Sequence, residues 1–131
     1  SGAITYLSYH GGAGNEQLVR LFVNSAGQLV ITGNTDSADY PRTEEPLRGE
    51  TSSFPFTPFP AFDMFVTTLN PDGSLASSLL IGGPLADTLI YAAPGKDTSI
   101  TLFGVANPGF PGSTRDIFQI FPSFVVAQLT P

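Results

Sequence analysis

The sequence predicts an all-β chain built from two similar antiparallel sheets, and three observations carry that reading. Hydrophobic residues make up 41% of the 131 residues and charged residues only 12%, enough apolar material for a core and too little charge for a disordered chain. The 14 glycines and 12 prolines favour many strands joined by sharp turns over helices. Two long stretches of the sequence also repeat each other, the mark of a chain assembled from like units.

The repeat has two offsets. Gly11-Gly12 recurs as Gly82-Gly83, 71 residues on, and the same offset places Leu18-Val19 on Leu89-Ile90, Leu29 on Ile100, Ile31 on Leu102 and Gly33 on Gly104. Further on, MFVTTLNP from Met64 matches FVVAQLTP from Phe124 at an offset of 60. The first unit therefore carries eleven extra residues between Gly33 and Met64. Pro41, Pro46, Pro55, Pro58 and Pro60 rule out a regular strand or helix through that insertion.

Strands follow from the apolar runs and turn residues between them. Residues 17–24 and 28–32 form a hairpin about Ser25-Ala26-Gly27. Residues 63–69 and 75–81 form another about Asn70-Pro71-Asp72-Gly73. In the second unit 88–93 and 99–105 pair across Pro94-Gly95-Lys96-Asp97, and 124–129 is the third strand. The first strand is apolar on both sides, with Leu18 and Phe22 on one and Val19, Leu21 and Val23 on the other, so its sheet must be covered on both faces. Four-stranded blades sandwiched between neighbours, as in a β-propeller, provide such cover; a β-sandwich is the alternative.

The stretches YHGG (9–12), NSAGQ (24–28), VITGNT (30–35), DYP (39–41) and DMFVTTLNPDG (63–73) resemble the bacterial seven-bladed β-propeller repeat family. The second unit departs from that pattern at Pro94-Gly95-Lys96-Asp97, at Val105-Ala106 and at Thr130. The resemblance implies two antiparallel blades and a bacterial extracellular or cell-surface setting. It brings no catalytic, cofactor or ligand residues with it. In this reading blade one covers about 13–81, and blade two covers about 84–131. The chain is circularly permuted: residues 4–9 stand before Gly11-Gly12 as 75–81 stand before Gly82-Gly83, so they supply an outermost strand, the one the second blade lacks.

Charge excludes other partners. Five basic and eleven acidic residues give a net charge of −6, and Arg20, Arg42, Arg48, Lys96 and Arg115 are scattered, so neither nucleic acid nor an anionic membrane has a positive field to meet. No apolar run reaches the length of a membrane span, and there is no cysteine to form a disulfide. Ser1-Gly2-Ala3 suit the new end left by signal cleavage, and suit a cloning remnant equally.

No catalytic, cofactor or metal site is expected. The sole histidine, His10, has no G-x-S-x-G elbow to serve, nor further His or Cys with which to bind a metal. Asp36, Asp39, Glu44, Glu45 and Glu50 gather in the insertion without the spacing of a calcium loop, as a solvated acidic loop would. The aromatic stretch FPFTPFPAF holds Phe54, Phe56, Phe59 and Phe62 between prolines, and four phenylalanines left in water would be an unusual apolar patch. A second stretch with Phe110, Phe118 and Phe121 repeats the theme and would lie on the same rim. The expected function is a non-catalytic structural or interaction module that assembles with copies of itself or with other blades by terminal strand exchange. Closing a ring of three or four copies and running on as a filament are both open to it. The interface candidates are Ile4, Tyr6, Phe54, Phe56, Phe59, Phe62, Phe124 and Val126. The alternatives are a domain that binds surface glycan or protein through its aromatic loops and, more remotely, a hydrolase fragment.

Overall fold

The structure is a computed structural model and describes residues 2–4, 7–45, 47–48, 62–111 and 123–129. The described residues contain eight strands and no helix: β1 (Glu16–Val23), β2 (Leu29–Thr35), β3 (Leu47–Arg48), β4 (Asp63–Leu69), β5 (Leu75–Gly82), β6 (Thr88–Pro94), β7 (Ile100–Ala106) and β8 (Ser123–Leu129). They form two sheets. In the first, β1, β2, β4 and β5 lie side by side as an antiparallel meander and the two-residue β3 adds to β5 in parallel; in the second, the order is β6-β7-β8, also antiparallel.

Turn chemistry joins the strands where the sequence places it. Gly27 and Gly73 close the β1–β2 and β4–β5 turns with φ of 77° and 85°, a region costly for any residue with a Cβ. Asn24 braces the first turn by accepting hydrogen bonds from the backbone of Ala26 and Gln28, and Gln28 donates across to Asn70 in the second.

Both offsets of the sequence repeat reappear as strand registers. Leu18 pairs with Gly33 and Leu89 with Gly104; Leu29 pairs with Leu69 and Ile100 with Leu129. The shared register extends to an irregularity, because β1 bulges between Leu18 and Arg20 and β6 bulges between Leu89 and Tyr91, 71 residues further on. A bulge inserts one residue and shifts the side-chain alternation. This corrects the expected faces of β1: Val19 and Phe22 pack inward together, while Leu18, Leu21 and Val23 point outward and are exposed.

The main core lies between the sheets. Val30, Met64, Val66 and Ile81 of the first sheet meet Leu89, Ala92, Leu102 and Ala127 of the second. Gly104 is small for a packing reason, since a Cβ there would press on the Thr88 carbonyl oxygen of the paired strand β6 and stand 2.7 Å from the Met64 terminal methyl. A polar tie crosses the same junction. The Asn34 side chain accepts from Leu89 N–H at 2.6 Å and donates to Leu89 C=O at 3.1 Å, so the backbone of edge strand β6 receives the partners a neighbouring strand would supply. A smaller cluster of Tyr40, Phe65, Leu80 and Ile31 covers part of the first sheet's other face.

Three expectations change. Among the described residues the second sheet has three strands rather than four, and residues 4 and 7–9, the described part of 4–9, lie in no strand within the single chain, as pairing with a neighbouring copy requires. A strand needs a ladder partner, and no strand lies beyond β8 among the described residues. The insertion is not wholly irregular, since β3 comes from it. Together with Thr43, whose N–H donates to Ser78 C=O and whose hydroxyl accepts from Ser78 N–H, it covers the outer edge of β5. Cover on both faces of each sheet is incomplete, because the outward side chains of β1 and β8 are bare.

Asn34→Ala would leave the buried N–H and C=O of Leu89 without their partners. Its expected cost is about 2–4 kcal/mol, read from the midpoint of urea unfolding with the slope unchanged.

Candidate functional site

Three constellations bring polar or exposed groups together. The first is a clasp that ties the Gly11-Gly12 loop to the segment after β2. Successive backbone N–H groups of Gly12, Ala13, Gly14 and Asn15 donate to side chains of Glu16, Asp39, Ser37 and Asp36. Glu16 also accepts from the hydroxyls of Thr35 and Ser37. Burial alone would raise the Glu16 pKa, but the bonds from Ser37, Gly12 and Thr35 outweigh it and hold the carboxyl below its ordinary range. Asp36 is likewise held low, by the backbone and side-chain amides of Asn15. The expected solvated acidic loop is thus corrected for Asp36 and Asp39, which take up backbone donors; Glu44 and Glu45 are exposed, and Glu50 lies outside the described residues.

The second sheet repeats the clasp with one buried carboxylate. Asp87, fully buried and 71 residues after Glu16, accepts from Gly83 N–H at 2.7 Å and Asn107 N–H at 2.8 Å. Burial pushes its pKa from 3.8 up to about 6; the two backbone bonds act against that rise and the nearby Asp63 adds to it. Sequence reasoning passed over both acids, although each stands four residues after its Gly-Gly pair.

The second constellation centres on His10. Its Nε2 lies 3.1 Å from the Thr67 hydroxyl, which also meets Tyr40 Oη at 3.0 Å and Ser78 Oγ at 2.8 Å. His10 stands edge-on to the Tyr40 ring, and Tyr40 stacks on Phe65. Burial lowers the His10 pKa against an opposing pull from Glu16, and burial raises that of Tyr40 to about 12, so both are neutral near pH 7. Thr67 and Ser78 are fully buried, and the Ser78 hydroxyl is spent on Pro41 C=O. The arrangement anchors the start of the chain to the outer face of the first sheet.

The third constellation is apolar. Phe124 and Val126 project from the same side of β8 and are exposed, with Phe103 of β7 stacked on Phe124. Ile4, Leu7 and Tyr9 are also exposed. Phe62 is half-buried just before β4, where its C=O accepts from Asp87 N–H. Tyr6, Phe54, Phe56 and Phe59 lie outside the described residues. Phe110 departs from the expected aromatic rim, since it closes a turn on Asn107 C=O and is buried in the core between the sheets, whereas Phe118 and Phe121 of the same stretch lie outside the described residues. Among the described residues no group of three or more His, Cys, Asp or Glu is placed to hold a metal ion.

No protein-family model, curated protein or solved structure matches the chain.

A carboxyl whose pKa is higher folded than unfolded binds more protons in the folded state, so its contribution makes stability fall as pH rises. For Asp87 the window runs from about 4 to about 6. Urea unfolding of the native chain and Asp87→Asn at several pH values across that window should show the native chain losing stability relative to the variant as pH rises.

Proposed function

We propose that this chain is a non-catalytic structural module made of two propeller-type blades, the second completed by a strand from another copy. One observation carries the reading. The second sheet repeats the first, register for register, through its third strand, no strand pairs beyond β8 among the described residues, and residues 4–9 hold the sequence position that a counterpart of β5 would have.

The surroundings of the gap support it. Strand β8 pairs with β7 alone among the described strands, and an edge with free N–H and C=O groups is a template for an added strand. The donor segment is exposed at Ile4, Leu7 and Tyr9. It leaves the chain at His10, which sits on Thr67 of the first sheet's outer face. Ile81 and Ala127 hold the equivalent sequence positions within the core between the two sheets. His10 on Thr67 thus repeats the relation of Ile81 to Ala127. A setting outside the cell, the role of residues 4–9 as an outermost strand and the absence of catalysis belong to this proposal. A contact that passes one strand forward from copy to copy is heterologous, so it closes into a ring or runs on as a filament.

Sedimentation of the intact chain should show assemblies that deleting residues 1–9 weakens, so that they form only at higher concentration. A peptide of residues 2–12, added to the shortened chain, should protect β8 amides from hydrogen exchange. Unchanged assembly mass after the deletion, or no protection by the peptide, would overturn strand donation.

A further inference from the structure

The shared registers reveal how the two sheets stack. Met64 and Val66 of β4 point into the junction between the sheets; their counterparts 60 residues on, Phe124 and Val126, point away from it. Leu89 and Ala92 of β6 point into the junction; their counterparts 71 residues earlier, Leu18 and Leu21, point away. The front of the first sheet therefore packs on the back of the second. Such head-to-tail stacking leaves a front and a back without neighbours at its two ends.

Exposure follows this pattern position by position. Met64 and Val66 are 1% and 5% exposed, whereas Phe124 and Val126 are 76% and 70%. Leu89 and Ala92 are 2% and 0% exposed, whereas Leu18 and Leu21 are 62% and 52%. Each bare residue occupies a place that is buried in the other sheet, and in that sheet the residue's partner surface is known. We infer that the bare front of the second sheet, at Phe124, Val126 and Phe103, is a docking surface for the bare back of the first sheet of a second copy, at its Leu18, Leu21 and Val23.

A cation–π pair marks the same relation. The Arg20 guanidinium lies 4.7 Å from the centre of the Tyr91 ring, and the two residues hold equivalent positions in β1 and β6. In the next junction Tyr91 takes the place of Arg20, and Arg20 of the second copy takes the place of Tyr91. The same pair recurs with its members exchanged, and Tyr91 has half its surface free for it. The polar tie does not recur, because the counterpart of Asn34 is Val105. The docking contact is accordingly more apolar than the internal junction.

This contact shares with the proposed function the premise that the partner is a copy of the chain, but it uses sheet faces rather than a strand edge. Val126→Lys blocks a front and Leu21→Glu blocks a back, both at exposed positions where folding, checked by circular dichroism, is unaffected. In chains that also lack residues 1–9, each variant alone should sediment as a monomer. Their equimolar mixture should form a one-to-one dimer, in which the back of the Val126→Lys chain sits on the front of the Leu21→Glu chain. Val105→Asn, which installs the missing tie, should tighten self-association of the unblocked chain about tenfold. A mixture that stays monomeric overturns the inference. So does loss of assembly with Val126→Lys but not with Leu21→Glu, the result expected if fronts pair with each other or another protein covers the front. Because these chains lack residues 1–9, a dimer formed by the mixture rests on the faces alone and is distinct from strand donation.

Discussion

The junction between the sheets governs the rest of the molecule, and it is set by how close two backbones come. Gly104 lets Met64 settle on β7, and Asn34 answers the backbone of Leu89 at the edge of β6. A side chain at Gly104 would meet the Thr88 carbonyl of its own sheet as well as the Met64 methyl, beside the core that Val30, Val66, Leu102 and Ala127 share. Apolar burial supplies the attraction, but it is non-directional. The Asn34 amide is directional, and it fixes which strand lies over which.

Much of this architecture was legible in the residues. The three hairpins and the final strand lie where apolar runs and turn residues put them, and the offsets of 71 and 60 return as identical ladders. Bulges were not legible, because Leu18 to Val23 contains apolar residues at nearly every position and such a run carries no alternation whose phase could slip. Phe110 misled for another reason. Its neighbours are turn residues, but the turn they form carries it into the core rather than out to the rim.

The polar clasps were the larger omission. Glu16 and Asp87 each stand four residues after a glycine pair, yet one is partly exposed with a lowered pKa and the other is buried with a raised one. Their shared task is to accept the N–H of a loop glycine, and their electrostatics diverge because three hydroxyl or amide donors surround Glu16 whereas Asp87 has two backbone donors and a second carboxyl nearby. Sequence position preserved the geometry of the bond; the surroundings decided its charge.

The outer edge of β5, closed by Thr43 and β3, has a consequence for the molecule in crowded solution. Each sheet ends in a strand that could recruit a stranger, and the covered β5 edge removes one such opening at a place where the insertion can act as a gasket. β1, β6 and β8 remain edge strands among the described residues. Sideways zipping of first sheets into an indefinite ribbon is thereby disfavoured by the chain's own insertion. Thr43 and β3, drawn from the long segment after β2, thus cover part of an edge that a bare meander would leave open.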